Sequence, residues 1–340
     1  MNLISPTLLK QKLPLTPLHQ YTVSSQRQTV CHVLSKKDPR LALIFGPCSI
    51  HDIPSALDYA KKFKLLASRV EKECVCIMRV YIEKPRTTLG WKGFVYDPNL
   101  DGSNDLQKGI REARELFITL TKWGIPIATE ILSPLLLPFF SDLITWGFIG
   151  ARTSASQTHR EIASDLPFPV GFKNSPEGSI SQAIHSVIAT REPQSFPMIG
   201  EDGFITAVET AGNPFAHVVL RGSHLGPNYD AQTVASLQEE LLRNHLPQGV
   251  MIDCSHDNSG KNVDRQKAVF FEVLENYLQN RSPILGMMLE SHLEEGAQRL
   301  LEDPSNLKYG LSITDPCMSW KDTEKLVLYA SECIASSVMR

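Results

Sequence analysis

The segment Leu43-Ile44-Phe45-Gly46-Pro47 is a strand-sized apolar run, and Cys48, whose thiolate can bind a metal, follows it directly. Seven further apolar runs have the same design, because each is followed by a residue that can bind a metal or an anion. They are residues 75–78 before Arg79, 125–129 before Glu130, 148–151 before Arg152, 170–172 before Lys173, 217–220 before Arg221, 250–255 before His256 and 284–289 before Glu290. This repeated arrangement decides the fold prediction.

Short, nearly continuous apolar runs are typical of buried parallel strands, which need a long crossover between them. The segments between the runs are about 20 to 50 residues long, which leaves room for one helix and its loops. Because each crossover returns the chain to the same end of the sheet, all eight run ends would meet at one mouth of a closed barrel. Catalytic groups lie at that mouth in this architecture. The sequence therefore predicts an α/β fold, namely a (β/α)8 TIM barrel.

The predicted organisation is one barrel with an N-terminal extension. The 340 residues exceed the roughly 250 that such a barrel needs. We place the extension at residues 1–39 and the barrel at residues 40–340. Amphipathic periodicity predicts helices at residues 53–73, 106–123, 233–244, 267–279 and 322–338, and a short helix at residues 24–34 before the first strand. The prolines within residues 13–17 should interrupt any helix there.

Composition limits the possible partners. The chain is 42% hydrophobic and 21% charged, and no apolar run approaches the length of a membrane-spanning helix. A formal net charge of −3 gives no overall attraction to nucleic acid or to an anionic membrane, so we expect neither as a partner. The seven scattered cysteines favour a reducing cytoplasm. The first 37 residues contain no acidic residue, a bias that a targeting peptide would share. We nevertheless expect a cytoplasmic protein, because the helix at residues 24–34 leads into the first strand.

Four residues could together bind a metal: Cys48, His256, Glu290 and Asp315. A thiolate, an imidazole and two carboxylates suit a borderline divalent ion better than Ca²⁺ or Mg²⁺ alone. Asp315 follows the eighth strand, where a loop can fold back over the mouth, but its position suits a helix cap equally well. Each residue alone has a structural explanation, and their shared placement is what indicates a metal site.

Basic residues crowd into the same predicted mouth. They are Arg79, Lys84, Arg86, Arg152, Lys173 and Arg221. Like charges placed together are unfavourable unless anions neutralise them, and two phosphates, or a phosphate and a carboxylate, would do so. Arginine offers these groups a bidentate fork and lysine a compact charge. The alternative is internal pairing with the acidic residues Glu83, Glu130, Glu161 and Glu177.

The loop at residues 83–93 alternates cationic, hydroxyl and small side chains after the second strand. Pro85 stiffens this loop, and the hydroxyls of Thr87 and Thr88 could bind phosphate oxygens without adding charge. The loop does not match the Gly-x-x-x-x-Gly-Lys-Ser/Thr pattern of a P-loop. It therefore predicts a phosphate contact of another kind.

Eight ordered segments carry a pattern that covers nearly the whole chain. They are Gly46-Pro47-Cys48-Ser49-Ile50-His51-Asp52, Met78-Arg79-Val80-Tyr81, Lys84-Pro85-Arg86-Thr87-Thr88, Gly150-Ala151-Arg152, Gly171-Phe172-Lys173-Asn174, Leu220-Arg221-Gly222, Ile252-Asp253-Cys254-Ser255-His256 and Glu290-Ser291-His292. In this order they resemble the type I 3-deoxy-D-arabino-heptulosonate 7-phosphate (DAHP) synthases. The similarity extends from roughly Pro14 to Ala330.

The resemblance implies a divalent-metal-dependent transferase. It would condense phosphoenolpyruvate with D-erythrose 4-phosphate and water to give DAHP and phosphate, the first step of the shikimate pathway to chorismate and the aromatic amino acids. It implies that one divalent ion (Mn, Fe, Co or Zn) is bound by Cys48, His256, Glu290 and Asp315. It implies that phosphoenolpyruvate is held by Arg79, Arg152, Lys173 and Arg221, with Glu130 nearby, and that erythrose 4-phosphate is received by Lys84, Arg86 and Thr87. Pro85 and Ala151 are also expected to bind substrate. The residues expected to be catalytic are Lys173, Lys84, Cys48 and His256.

The same resemblance implies a reaction course. The metal would polarise the sugar aldehyde, carbon 3 of phosphoenolpyruvate would attack it, and water would add at carbon 2 before phosphate leaves. Proton delivery stays open between Lys173, Lys84 and water at the metal.

The resemblance also implies assembly and regulation. Family members form homodimers or homotetramers and are often inhibited by Phe, Tyr or Trp at a site built partly by the N-terminal extension. Residues 1–39 are therefore expected to make oligomer or regulatory contacts. Residues 135–137, 166–167 and 196–198 fall near the expected effector site, without a side-chain pattern that identifies the effector.

One segment departs from the family, and two other functions compete. Residues 221–230 replace a common Gly-Gly-Lys-Glu pattern and place His224 where a lysine is frequent, which weakens the cationic cluster unless His224 is protonated. One rival is the sister synthase that uses arabinose 5-phosphate to make 3-deoxy-D-manno-octulosonate 8-phosphate, but its sugar loop usually reads Lys-Ala-Asn-Arg-Ser-Ser. The other is an inactive barrel that binds a phosphorylated metabolite or an aromatic amino acid and regulates a partner. The presence of all four metal-binding residues disfavours that rival.

Overall fold

The computed structural model describes residues 3–280 and 283–338. In chain order its strands are β1 (Leu41–Gly46), β2 (Cys74–Arg79), β3 (Ile127–Glu130), β4 (Trp146–Ile149), β5 (Val170–Lys173), β6 (Gln194–Ile199), β7 (Ile205–Thr210), β8 (His217–Leu220), β9 (Val250–Asp253) and β10 (Ile284–Glu290). Within these residues, eight strands close into a parallel barrel in the order β1-β10-β9-β8-β5-β4-β3-β2. The predicted (β/α)8 barrel is confirmed.

The barrel strands are buried on both faces, which explains their continuous apolar sequence. In β1, Ala42 and Ile44 point into the barrel and pack with Ile77 and Met288, whereas Phe45 packs on the other face among helix residues. Each strand thus contributes one side chain in two to an interior core and the next to an outer core. Because both faces of each strand are buried in apolar cores, successive residues of the strand are mostly apolar.

Helices surround the barrel, and each helix that the sequence predicted is present among them. They are α1 (Pro6–Lys12), α2 (Pro17–Leu34), α3 (Ile53–Arg69), α4 (Leu106–Lys122), α5 (Gln157–Asp165), α6 (Ile180–Arg191), α7 (Ala231–Arg243), α8 (His256–Ser259), α9 (Val263–Asn280) and α10 (Trp320–Val338). Short 3₁₀ turns lie at Leu137–Phe139 and Pro304–Asn306. The largest boundary error concerns α2, which begins at Pro17 rather than at residue 24. Pro17 suits the first helical position and the Thr16 side chain caps the helix, so this proline starts a helix while still separating it from α1.

A β-hairpin that the sequence did not predict lies between α6 and β8. Its strands β6 and β7 pair antiparallel over residues 194–199 and 205–210. Pro197 lies within β6, and a proline lowers the strand signal because it lacks an N–H donor. The hairpin tolerates it because a two-stranded ribbon leaves one edge of each strand unpaired.

The N-terminal segment packs against the lower end of the barrel. Val30, Val33 and Leu34 of α2 join the interior core next to Ala42 and Leu285. The Arg27 guanidinium donates to the carbonyls of Ser141 (2.6 Å) and Ile144 (2.8 Å). These contacts cover the lower end and leave the upper mouth open. Among the residues that the structure describes, no helix is long and apolar enough to cross a membrane.

Candidate active site

A pocket of about 670 Å³ opens at the C-terminal ends of the barrel strands. The predicted site residues that line it are Arg79, Lys84, Pro85, Arg86, Thr87, Glu130, Ala151, Arg152, Lys173, Arg221, His256 and Asp315. The two others, Cys48 and Glu290, are buried and contact lining residues. The structure therefore brings every predicted site residue to one place.

Three of the four predicted metal ligands form a tight group. Cys48, Glu290 and Asp315 each place one ligand atom within 4.8 Å of the others. His256 is a neighbour of this group, with its Nε2 atom 3.8 Å from Glu290 Oε1. Asp315 does not cap a helix, since the next helix, α10, begins only at Trp320.

The charges around this group suit a cation. The Lys84 ammonium lies 2.7 Å from Cys48 Sγ and 3.2 Å from Asp315 Oδ2, so a positive group already contacts two of the three ligand atoms. Burial raises the pKa of Cys48 to about 11, and the nearby Glu290 carboxylate adds to this rise. Burial alone would also raise the pKa of Asp315, but Lys84 and Lys261 hold it well below its usual range. One soft donor, one imidazole and two carboxylates fit a borderline divalent ion.

His256 is oriented by a buried carboxylate. Its Nδ1 atom lies 2.8 Å from Asp253 Oδ2 and 2.9 Å from Ser255 Oγ. The single Ser255 hydroxyl proton is already donated to Asp253 Oδ1 (2.6 Å), so both neighbours of Nδ1 act as acceptors. The hydrogen-bond network therefore assigns the imidazole proton to Nδ1. In the neutral imidazole this leaves the Nε2 lone pair free for a metal.

Four of the six predicted cations have carboxylate partners. Arg79 pairs with Glu290 (2.9 Å), Lys84 with Asp315 (3.2 Å), Lys173 with Asp253 (2.6 Å) and Arg221 with Asp257. The alternative partners Glu83, Glu130, Glu161 and Glu177 pair with none of the six in the described part of the chain. Arg86 and Arg152 have no ion pair with any described residue. Both line the pocket, so their charges are available to anions.

The Glu130 carboxylate depends on a glycine across the pocket wall. A Cβ atom at Gly150 would lie 2.2 Å from Glu130 Oε1, closer than any stable contact. An alanine at this position would displace the carboxylate from the mouth. The glycine of the Gly150-Ala151-Arg152 segment thus leaves room for the Glu130 carboxylate in its present position.

The loop that carries Lys84, Arg86 and Thr87 is anchored at its base by Glu83. This buried carboxyl accepts hydrogen bonds from the Tyr96 hydroxyl (3.1 Å) and the Ser133 N–H (3.2 Å). Burial raises the pKa of Glu83 to about 7. Through these two hydrogen bonds, Glu83 connects the end of β2 to Ser133, which follows β3, and to Tyr96, which follows the loop.

His224 lies at the pocket, where the sequence departs from the family. Its side chain is 71% exposed, and its Nδ1 atom is 3.9 Å from the Asp257 carboxylate that already pairs with Arg221. A protonated His224 would therefore add its charge at the rim rather than in the buried part of the pocket.

Sequence reasoning gave no role to three charged residues of the site: Asp253, Asp257 and Lys261. Lys261 contacts Asp315 (2.8 Å), and Asp257 holds Arg221. Asp253 was missed because the predicted strand ran to residue 255. The strand β9 ends at Asp253, so the rule that strand-end residues enter the site would have found it with the correct boundary.

Comparisons with known proteins agree on one family. A family model described as the DAHP synthetase I family matches residues 20–328. The chain is 43% identical to the Tyr-sensitive phospho-2-dehydro-3-deoxyheptonate aldolase of Escherichia coli, over 96% of this chain and 91% of that protein. It is 42% identical to the Phe-sensitive protein of the same organism, over 96% and 92%. A solved phospho-2-dehydro-3-deoxyheptonate aldolase from Francisella tularensis superposes with a TM-score of 0.96 at 40% identity, over 98% of this chain and 97% of that one.

The raised pKa of Glu83 predicts a pH-dependent stability difference. An ordinary glutamate titrates near 4.5, so between about pH 4.5 and 7 the unfolded state ionises this group while the folded state resists ionisation. The folded wild type should therefore lose up to about 3 kcal/mol relative to Glu83→Gln as the pH rises through this range. Urea unfolding of both proteins at several pH values measures the difference. Substitution of the exposed Glu115 by Gln is the control, and a Glu83→Gln difference that stays constant with pH would contradict the prediction.

Proposed function

The chain belongs to the DAHP synthetase I family, and we propose that the pocket at the barrel mouth is where it performs the family reaction. The protein is a DAHP synthase, a transferase that condenses phosphoenolpyruvate with D-erythrose 4-phosphate and water to give DAHP and phosphate. This is the first step of the shikimate pathway to aromatic amino acids. The observation that carries the site assignment is the joint presence, at one mouth, of a tight Cys/Glu/Asp group and two arginines without carboxylate partners.

We assign phosphoenolpyruvate to the buried end of the pocket. Arg79 and Lys173 are 1% and 4% exposed, so their charges act in a water-poor environment where they bind anions most strongly. Arg152 adds an unpaired guanidinium that can grip a carboxylate or phosphate through two parallel hydrogen bonds. The remaining predicted contacts are Glu130, Ala151 and Arg221.

Erythrose 4-phosphate is assigned to the loop after β2. Arg86 is exposed and unpaired, and Thr87 and Pro85 lie beside it on the pocket wall. Lys84, at the base of this loop, reaches the metal-binding group. The loop therefore offers a phosphate grip at its outer part and an ammonium near the predicted metal ligands, which matches the two ends of a phosphorylated aldehyde.

Cys48, His256, Glu290 and Asp315 would hold a divalent ion, and Mn, Fe, Co and Zn all suit this mixed donor set. When bound, such an ion supplies Lewis acidity toward the aldehyde oxygen. The chain's own residues then orient the reactants. Arg79, Arg152 and Lys173 fix the two anionic groups of phosphoenolpyruvate, so that its carbon 3 faces the aldehyde carbon.

The proposed chemistry forms one carbon–carbon bond and one carbon–oxygen bond, the latter to water, and breaks the carbon–oxygen bond to phosphate. Carbon 3 of phosphoenolpyruvate bonds to the aldehyde carbon, water adds at carbon 2, and phosphate leaves from the resulting tetrahedral carbon. Lys84 and Lys173 carry fixed positive charge close to the oxygens that become negative, which is the arrangement that stabilises such charge most effectively. Both ammonium groups are also positioned to deliver a proton.

We propose that a second pocket binds an aromatic amino acid effector. It has a volume of about 260 Å³ and lies between the segments that the sequence placed near an effector site, with Leu137, Leu166, Pro167 and Met198 in its wall. Asp165 also lines it and could receive an ammonium group. Relatives described as Tyr-sensitive and Phe-sensitive support this class of effector.

The N-terminal extension, residues 1–39, touches the rim of this second pocket. The Thr7 N–H donates to the Glu201 carbonyl (2.8 Å), Lys10 pairs with the Glu201 side chain, and Glu201 lines the pocket. We propose that the extension makes regulatory or oligomer contacts, that the chain forms a homodimer or homotetramer, and that it acts in the cytoplasm. Exposed Phe204 and Ile205 at the hairpin support self-association, which sedimentation equilibrium would detect.

The reaction assignment predicts a metal-dependent, sugar-specific activity. Chelator-treated protein should release phosphate from phosphoenolpyruvate with erythrose 4-phosphate only after a divalent ion such as Mn²⁺ is restored. Arabinose 5-phosphate should give no turnover. Turnover with arabinose 5-phosphate instead would move the protein to the sister synthase reaction, and no turnover with either sugar would favour a binding protein.

The two unpaired arginines predict a separation of Michaelis constants. Arg152→Ala should raise the KM for phosphoenolpyruvate, and Arg86→Ala the KM for erythrose 4-phosphate, each by about 10- to 100-fold because a hydrogen-bonded charge is lost. Each variant is the control for the other. Initial rates with one substrate varied at saturation of the other measure both constants. An equal rise of both KM values in either variant contradicts the assignment.

The effector assignment predicts inhibition by at least one of Phe, Tyr and Trp in the same assay. Val208→Trp, which fills the second pocket, should abolish this inhibition. It should leave the uninhibited rate within about twofold, because Val208 does not line the pocket at the barrel mouth. Inhibition that persists in Val208→Trp would place the effector elsewhere.

A further inference from the structure

One buried oxygen atom connects the two halves of the site. Asp253 Oδ2 accepts a hydrogen bond from Lys173 Nζ (2.6 Å) and another from His256 Nδ1 (2.8 Å). Lys173 ends β5 and His256 begins α8, so these groups come from different parts of the barrel. Asp253 itself ends β9 and is fully buried. No other described residue forms a side-chain hydrogen bond or ion pair with both Lys173 and His256.

The second carboxylate oxygen fixes the orientation of the first. Asp253 Oδ1 accepts from the Ser255 N–H (3.0 Å) and from the Ser255 hydroxyl (2.6 Å). Four donors thus saturate one carboxylate, and the backbone donor cannot move away. Because the carboxylate cannot rotate without losing these bonds, Oδ2 is held at one point between Lys173 and His256.

From this arrangement we propose that Asp253 is a positioning residue that sets phosphoenolpyruvate binding and divalent-cation binding at the same time, through Lys173 and His256. This inference rests on the function proposed above for those two residues. Toward His256, the carboxylate keeps the proton on Nδ1 and so presents a bare Nε2 to the cation. Toward Lys173, it supplies the negative charge that compensates the buried ammonium group.

Asp253 Oδ2 contacts both Lys173 and His256, so a substitution of Asp253 should affect phosphoenolpyruvate binding and cation binding together. In Asp253→Asn the side chain keeps its shape but loses its charge, whichever way the amide points. With the NH₂ group toward His256, Nδ1 must accept rather than donate, which moves the imidazole proton to Nε2 and blocks the metal position. With the NH₂ group toward Ser255, the amide opposes the Ser255 N–H. The neutral carbonyl left beside Lys173 and His256 then compensates neither the ammonium nor the charge that a bound cation places on the imidazole.

Two titrations test the proposal. Mn²⁺ binding, measured by the electron paramagnetic resonance of free Mn²⁺ without substrate, should weaken by about 10- to 100-fold in Asp253→Asn. Phosphoenolpyruvate binding, measured calorimetrically at saturating Mn²⁺, should weaken by about tenfold in the same variant. Saturation with Mn²⁺ separates the direct loss at Lys173 from any loss that only follows weaker metal binding.

Matched variants distinguish a specific effect of Asp253 on Lys173 and His256 from a general disturbance of the surrounding hydrogen-bond network. Lys173→Met should weaken phosphoenolpyruvate binding without weakening Mn²⁺ binding. Ser255→Ala removes the hydroxyl of the same network but leaves both Oδ2 contacts, so both affinities should stay within about threefold of the wild type. Asp253→Ser, which removes the charge without adding an amide, should reproduce the double loss and serves if Asp253→Asn does not fold.

The outcomes are distinct. A loss of only one affinity in Asp253→Asn, or equal effects of Ser255→Ala and Asp253→Asn, would overturn the proposal while leaving the proposed function intact. A wild-type protein that binds neither Mn²⁺ nor phosphoenolpyruvate would overturn the proposed function first. The double loss in Asp253→Asn, with single or small effects in the matched variants, would support the proposal.

Discussion

The parallel barrel imposes the constraint on which the rest of the structure depends: all strand ends converge on a single mouth. Any residue type that follows a strand is therefore brought near the equivalents from the other strands. In this chain those residues are charged or metal-binding, and their convergence creates a dense set of cations and anions in a partly buried space. The site is a direct product of chain topology, and its chemistry depends on how these charges are compensated.

Most of the positive charges in the site are paired with carboxylates, and the two unpaired ones indicate where anions can bind. Buried Arg79 and Lys173 each contact a buried carboxylate, which is the condition under which an ion can be removed from water. Each compensating carboxylate also serves a second group: Glu290 belongs to the candidate metal-binding group, and Asp253 holds His256. The cation-binding and anion-binding parts of the site are therefore electrostatically interdependent. Among the described residues, Arg86 and Arg152 are the predicted site cations that have no carboxylate partner.

The barrel and most of its site residues could be predicted from the sequence, because short local patterns indicate them. Continuous apolar runs indicated parallel strands, and strand-end residues such as Arg79 and Glu290 indicated the mouth. What escaped prediction depends on exact boundaries or on spatial proximity. Asp253 was overlooked because the strand was extended by two residues. The partners of Arg221 and Lys173 could not be chosen among many acids, since pairing is decided by geometry across strands. The β6–β7 hairpin was missed because Pro197 masked a short strand that faces solvent.

The position of the helix α2 bears on how ligands enter and leave the barrel. Its side chains Val30, Val33 and Leu34 lie at the lower end of the interior core, and the pocket lies above that core, at the C-terminal ends of the strands. The buried end holds Arg79 and Lys173, whereas Arg86 lies on the exposed side. A molecule bound beside Arg86 would lie between the solvent and a molecule bound beside Arg79 and Lys173. If both positions are filled, the deeper molecule would enter first and leave last.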